Sequence, residues 1–188
     1  LGAKVIDSTG LDAAAVIDAW QAWAPNGPDE LAASLKVTAS DEVERPPSVD
    51  VYAAVLGPGM GADDLLGELV SRAGSDPSSS SAERLSFEGT RRFWANLEDA
   101  ATPPEPVFMF SKSAFFRRPL PAEAVVVLLD AFARDRADGE SRELDFMPWG
   151  GAYNRIRPDA TAFVHREERF QLKHAVTVQT GASPEEQR

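Results

Sequence analysis

Helix-like and strand-like segments follow one another in an order that restricts the fold more than any other feature of this chain. Three segments, 11–24, 61–73 and 121–137, carry apolar residues three and four apart, which predicts one-sided amphipathic helices lying on a sheet. Strand-like runs fill the intervals, at 3–7, 31–39, 48–56, 106–116, 142–149 and 169–178. The resulting order, β-α-β-β-α-β and then β-α-β-β, predicts an α+β fold. We expect a mostly antiparallel sheet with helices packed on one face, built from ferredoxin-like βαββαβ units.

Length and charge limit what such a chain can do. Its 188 residues suffice for a single domain, 1–188, with a real core. The net charge of −11 argues against binding nucleic acid, since nothing offsets repulsion from phosphates. With no cysteine there is no thiolate nucleophile and no thiolate metal site. No apolar run is long enough to predict a membrane span.

Polar segments and the chain ends give weaker predictions. Ser- and Pro-rich stretches at about 74–83 and 97–106 predict flexible loops. Ser183, Pro184 and the two following glutamates suit the start of a helix, although a frayed tail would also fit. Because the chain also begins without Met, we expect a piece of a longer protein. Its Ala-, Arg- and Asp-rich composition favours a bacterial source, and its compartment stays open, with the cytoplasm favoured.

The last strand separates its side chains into two faces. One face, predicted to be mainly core, carries Phe170, Leu172, His174, Val176 and Val178. The other carries Gln171, Lys173, Ala175 and Thr177. The second face is either the solvent side of an antiparallel sheet or the wall of a ligand cavity. In the cavity interpretation Gln171 and Lys173 contact the ligand, and the small residues beyond them leave room.

Two adjacent glycines, Gly150 and Gly151, follow the preceding strand. They permit a bulge, a positive φ, or close approach of the backbone to a ligand or to another domain, although a plain turn would also explain them. The spacing matches no phosphate-binding loop.

Two kinds of polar residue, histidine and arginine, follow the glycines without forming a catalytic pattern. His165 has no metal-binding partner in the sequence, and we expect a structural His bonded to a backbone carbonyl. Arg155, Arg157 and Arg166 are expected to be ion-paired surface residues. No residue is therefore assigned as catalytic and no metal is predicted.

The segment PWGGAYNRIRPDATAFVHR (148–166), with RFQLKHAV (169–176) after it, resembles a known family. It is similar to the late substrate domain of berberine bridge enzyme-like flavoproteins. These belong to the vanillyl-alcohol oxidase and p-cresol methylhydroxylase group of FAD-linked oxidoreductases. Residues 112–132 resemble the family's Lys-Ser-x-Phe strand and the helix after it, and residues 16–37 resemble its first substrate-domain helix and strand.

The resemblance implies a role for several residues of this segment. Gln171 and Lys173 match positions that face flavin and substrate, and Met147 matches one that projects into the pocket. The family commonly has Gln or Glu where Lys173 stands, and Tyr where His174 stands. Lys173 could stay protonated and stabilise negative charge on the reduced ring, or lose its proton and act as a base. The other residues that match the family are expected to have a structural role: Gly150, Gly151, Phe163, His165 and Arg166.

The resemblance also implies a cofactor and partners. The family's FAD-binding domain and closing segment have no counterpart in this sequence, so FAD would be bound mainly by a domain absent from it. The complete protein would oxidise an alcohol-like or C–N carbon of a small-molecule substrate by hydride transfer to flavin. This substrate-binding domain alone should be inactive.

Three alternatives stay open. The chain could be a non-enzymatic ferredoxin-like module for small-molecule binding or dimerisation, since fold alone does not determine function. It could be a split relative of the family, paired with a separate flavin-domain chain. A homodimer is open under each interpretation.

Overall fold

The computed structural model describes residues 2–7, 12–56, 61–101 and 107–179. Within those ranges the predicted α+β fold is confirmed, and six strands and three helices lie where the patterns predict them. The proposed helix start at Ser183 and residues 102–106 of the second predicted loop lie outside the described residues.

Four helices are present in the described residues, and local signals define several of their ends. They are α1 (Ala13–Trp23), α2 (Ala62–Ala73), α3 (Phe87–Ala101) and α4 (Ala122–Ala133). The Asp12 carboxylate accepts a hydrogen bond from the Ala14 amide at 3.0 Å and caps α1. Gly74 ends α2 in the left-handed conformation, with φ of 72°.

In the described ranges seven strands form one sheet. They are β1 (Gly2–Asp7), β2 (Leu31–Ala39), β3 (Ser48–Val55), β4 (Ser79–Arg84), β5 (Val107–Phe116), β6 (Glu140–Pro148) and β7 (Phe170–Gln179). Their order is β4-β1-β3-β2-β6-β7-β5, and every neighbouring pair is antiparallel. Strands β2, β6 and β7 therefore lie side by side, although residues 36 and 173 come from opposite ends of the sequence.

The core lies between α1, α2, α4 and one face of the sheet. Trp20 is fully buried at its centre and packs edge-on against Phe146 and Phe170, at ring-centroid distances of 5.8 and 6.0 Å. The Trp20 indole nitrogen donates to the Ala33 carbonyl at 3.0 Å, so its polar atom is satisfied. On the same helix the buried Gln21 amide accepts from the Leu120 amide at 2.7 Å and donates to the Leu120 carbonyl at 3.4 Å.

Two elements were not predicted. Strand β4 occupies part of the predicted 74–83 loop, and all its side chains are exposed on an edge strand held by backbone pairing to β1. Helix α3 extends into the predicted 97–106 loop and contacts the opposite face of the sheet from the other helices, through Trp94 against Tyr52 at 6.1 Å. The loop prediction was wrong for these two segments, because neither element buries a regular apolar stripe, the pattern from which the other helices and strands were predicted.

The predicted placement of His174 on the core face also needs correction. His174 alternates with Phe170 and Leu172, yet it is exposed. The covering helices stop short of this part of the sheet, where Phe108 and Phe110 on the neighbouring edge strand are exposed too. None of the described helices is both long and apolar enough to cross a bilayer.

Candidate functional site

The sheet face opposite α1, α2 and α4 is called the open face here. Strand alternation places Met147 and Gln171 on it as directly paired residues of β6 and β7. One pair further along, Asp145 lies opposite Lys173, and Asp145 also pairs with Lys36 of β2. The structure thus brings together the three residues predicted to face a ligand, and places them beside two further charged residues.

Four charged side chains form a row across the open face: Lys36, Glu143, Asp145 and Lys173. Glu143 accepts from both lysines, through Oε2 to Lys36 Nζ at 3.0 Å and Oε1 to Lys173 Nζ at 2.9 Å. Lys173 Nζ also lies 3.4 Å from Asp145 Oδ2. Because these side chains are only 15 to 35% exposed, the pairs are less screened than ordinary surface ion pairs.

The pKa values of the side chains in this row shift in different directions. Burial raises the pKa of the Asp145 carboxyl, and the nearby Lys173 charge does not fully offset that effect. Burial alone would also raise the pKa of Glu143, but hydrogen bonds from Lys173 and Lys36 hold it below its usual range. Burial would lower the pKa of Lys173, yet its bond to Glu143 and the two negative charges raise it above its ordinary value.

Sequence reasoning missed Lys36, Glu143 and Asp145. A signal was present in the run RELDFMP (142–148), where Glu143, Asp145 and Met147 alternate with core residues and so must share one face. Lys36 could not be added from sequence, because the pairing of β2 with β6 is not visible there.

The two glycines meet other parts of the same chain. Gly150 has extended φ, but a Cβ at this position would lie 2.7 Å from the Pro25 carbonyl oxygen. Gly151 has φ of +60°, and its Cβ would lie 2.7 Å from Asp29 Oδ1. Asp29 is held by Arg155 through two hydrogen bonds of 3.0 and 2.5 Å. The expected positive φ is therefore found at Gly151, while the close approach is to other residues of the same chain and not to the ligand or second domain that was expected.

An aromatic cluster supports this turn. The His165 ring stacks on Phe115 at 4.1 Å, and Phe163 packs against Phe115 and Trp149 at 6.3 and 5.7 Å. Within the described ranges His165 has a carboxylate partner and not the expected backbone carbonyl: its Nδ1 lies 3.4 Å from Glu168 Oε1.

The arginines of the segment divide into two kinds. Arg155 and Arg157 form the expected exposed ion pairs, with Asp29 and Asp159. Arg166 does not: it is 7% exposed, donates to Thr161 Oγ1 at 2.7 Å, and lies over the Phe163 ring at 4.9 Å. The surface prediction for Arg166 was therefore wrong, because its aliphatic stem and guanidinium complete the aromatic cluster.

Two cavities adjoin the open face. The larger, of about 390 Å³, is lined by Met147, the glycine turn, Tyr153, Ser34 and the 24–28 segment. The smaller, of about 270 Å³, lies beneath α3, with Ala32 and Ala54 of the sheet and Trp94 among its lining residues. Gln171 and Lys173 line neither of these two cavities but lie on the sheet beside the larger one. Among the described residues no three His, Asp or Glu side chains gather closely enough to hold a metal ion.

Comparisons with known proteins show what this chain is similar to. No family model matches the chain. Berberine bridge enzyme-like 3 from Arabidopsis thaliana is 28% identical over 176 residues, which covers 87% of this chain and 31% of that protein. The structure of berberine bridge enzyme from Eschscholzia californica superposes with a TM-score of 0.73 at 17% identity, over 96% of this chain. The resemblance to the berberine bridge enzyme-like proteins is confirmed.

The berberine bridge enzyme fold recurs in other matches. Aclacinomycin oxidoreductase has a TM-score of 0.73 and 18% identity over 98% of this chain, which is 37% of its own length. The Eschscholzia structure is likewise covered over 36% of its length. The chain thus spans about a third of the proteins that it matches. The matched curated relatives named by organism are plant proteins, so the predicted bacterial source stays a prediction.

Proposed function

We propose that the complete protein is an FAD-dependent oxidoreductase and that this chain forms its substrate-binding domain. The reaction is oxidation of an alcohol-like or C–N carbon of a small molecule. FAD, bound mainly by another domain, would supply the hydride acceptor. In this chain, the open face forms one wall of the substrate pocket. The observation that supports the proposal most directly is the shared placement of Met147, Gln171 and Lys173 on that face.

The residues present are chemically suited to the polar edge of an isoalloxazine ring. Gln171 offers both donors and an acceptor, and Lys173 offers N–H donors. Both are half-buried rather than fully solvated, so their hydrogen bonds would compete less with water. Met147 adds an adaptable apolar surface beside them, in the wall of the larger cavity.

Purification of the full-length protein tests this function. We expect a visible flavin absorption band, or uptake of FAD on reconstitution, and substrate-dependent bleaching of that band. The 188-residue chain alone should show neither tight FAD binding nor turnover. A full-length protein without a flavin band and without FAD uptake would contradict the proposal.

A second experiment tests the assignment of the face. In the full-length protein, Gln171→Ala and Lys173→Met should perturb the flavin spectrum or substrate binding. Lys112→Met is a matched control, because Lys112 is exposed on the opposite side of the sheet, paired with His174. Equal effects of the Lys112 and Lys173 substitutions would contradict the proposed orientation.

A second candidate function is dimerisation by a non-enzymatic module. It is favoured by β5, an edge strand on which Phe108, Met109 and Phe110 are 46 to 60% exposed. Analytical ultracentrifugation of the chain with and without Phe110→Lys distinguishes it. A monomer insensitive to that substitution would leave no support for this candidate.

A further inference from the structure

The Lys173 ammonium is held from one side by two carboxylates. Glu143 Oε1 lies 2.9 Å away on the diagonal position of β6, and Asp145 Oδ2 lies 3.4 Å away on the paired position. Glu143 is itself held by Lys36 at 3.0 Å. Ala175, which lies opposite Glu143 and two residues from Lys173 on the same face of β7, is only 4% exposed. The position of the lysine is thus set by three neighbouring strands.

The number of N–H donors on the Lys173 ammonium determines how many are left for a ligand. A lysine ammonium has three N–H donors and no acceptor. Two donors are directed to Glu143 and Asp145, and no further acceptor contacts Nζ within the described part of the chain. The side chain is 35% exposed on the open face. One N–H is therefore left for a molecule lying on that face.

The same geometry decides between the two roles considered for this lysine. Loss of its proton would leave Glu143 and Asp145 beside a neutral amine in a half-buried site, and each carboxylate would lose an ion-pair partner. Both carboxylates also raise the pKa of Lys173 above its ordinary value despite burial. A proton-accepting role at neutral pH is disfavoured, and a permanently charged donor is favoured.

We infer that Lys173 is a fixed hydrogen-bond donor that binds an electron-rich oxygen of the molecule on the open face, with Glu143 and Asp145 as its positioning residues. The inference rests on the proposed function. Such an oxygen is a carbonyl, a phenolate or an alkoxide-like oxygen that gains negative charge. It comes either from the substrate or from the carbonyl edge of the flavin.

The four side chains of the row carry two positive and two negative charges, and Asp50 of β3, paired with Lys36 on the same face, adds one more negative charge. The row therefore produces no net positive field to collect anions, unlike a basic patch. The site would distinguish one ligand from another through a single directed, charge-assisted hydrogen bond, which is stronger than a hydrogen bond between neutral groups. The site thus favours an acceptor oxygen at a defined place and gives no general preference for anionic molecules.

The first test uses the 188-residue chain without flavin. Heteronuclear NMR of the lysine Nζ groups, assigned with Lys→Arg variants, should show a Lys173 titration midpoint above the ordinary value for a lysine. Glu143→Gln should lower that midpoint. A Lys173 midpoint at or below the ordinary lysine value would overturn the inference, whatever the complete protein does.

The second test uses the flavin-loaded full-length protein. If the oxygen belongs to the substrate, Lys173→Met should raise KM tenfold or more, with smaller loss in Lys173→Arg. If it belongs to the flavin, Lys173→Met should instead weaken sulfite binding by the flavin tenfold or more, since the sulfite adduct leaves negative charge on the ring. Lys112→Met should change neither quantity.

Two results of the second test would refute the inference. One is an unchanged KM together with unchanged sulfite affinity in Lys173→Met. The other is recovery of turnover in Lys173→Met by the neutral form of a small alkylamine but not by its protonated form, which would show that the lysine acts as a base. Failure of the proposed function is distinguishable, because a protein without flavin would still give the expected Lys173 titration.

Discussion

Replacing Gly150 with alanine should destabilise the chain, because the new methyl group would meet a backbone atom. The added Cβ would lie 2.7 Å from the Pro25 carbonyl oxygen, well inside contact distance. Gly150 has φ of −128°, which any residue adopts, so the cost comes from the contact alone. Overpacking of this kind costs about 1 to 3 kcal/mol. Relief requires the turn and the 24–28 segment to move apart, which would also widen the larger cavity.

Gly151→Ala combines two separate costs. Its φ of +60° places an L-residue in the left-handed region, at about 1 to 2 kcal/mol. Its Cβ would also lie 2.7 Å from Asp29 Oδ1, so Asp29 must shift away from Arg155. Weakening that exposed ion pair adds only a small further cost. The total should therefore slightly exceed the backbone cost of about 1 to 2 kcal/mol.

Two other glycines are internal controls. Gly139 has φ of +77° and open space around its Cβ position. Gly139→Ala therefore measures the free-energy cost of positive φ alone, without a steric contact. Gly67 lies within α2, also with nothing within 4 Å. Gly67→Ala should stabilise the chain by about 0.5 to 1 kcal/mol, because alanine is the better helix former.

Urea unfolding of the five proteins, followed by tryptophan fluorescence and circular dichroism, measures these differences. Thermal midpoints should shift by about 2 to 4 °C for each kcal/mol in a chain of this size. A Gly150→Ala variant as stable as the parent would refute the close approach to Pro25. A Gly151→Ala variant no less stable than Gly139→Ala would refute the contact with Asp29.

Three further substitutions test other parts of the structure. Gln21→Leu should cost about 2 to 3 kcal/mol in urea unfolding, because the amide and carbonyl of Leu120 lose their partner; Gln21→Glu keeps the acceptor but places a buried carboxylate against the Leu120 carbonyl, so its cost should fall as acid protonates that carboxylate, and a pH-independent cost would contradict the bidentate contact. Glu143→Gln should lose about 1 kcal/mol at neutral pH. Its folded-state pKa is lowered, so that stability is present above the unfolded pKa and disappears as pH falls through the folded one. Asp145→Asn should act oppositely and stabilise the chain at neutral pH, since the folded-state pKa of Asp145 is raised; the gain should vanish in acid, and a pH-independent effect of either variant would contradict the pKa directions.

The predictable part of the fold is the part whose side chains enter the core. Val16, Ile17 and Trp20 on α1 are fully buried or nearly so, and their helical spacing was visible in the sequence. Helix α3 has a different signature. The Ser86 hydroxyl caps it by accepting from the Gly89 amide at 3.1 Å, and Glu88 pairs with Arg91 one turn on. Capping and charge spacing were readable but weaker than an apolar stripe.

For the candidate site, the alternation of side chains along a strand shows which residues share a face. Which residues of different strands meet on that face depends on how the strands pair. Gln171 and Lys173 could be placed on one face from the period of two alone. The contact of Lys173 with Glu143 and Asp145 depends on the register of β6 against β7. The exposure of His174 depends on where the covering helices end, which no local pattern indicates.

The charged row also has a consequence for how the chain folds. Its lysines lie on β2 and β7, so no short peptide or single hairpin can contain the row. The row can form only after the residues between β2 and β7 have become ordered. Contacts between residues so far apart in the sequence form slowly, because a long loop must be closed first. We therefore expect ligand-binding competence to be gained last during refolding, after α1 has docked on the sheet.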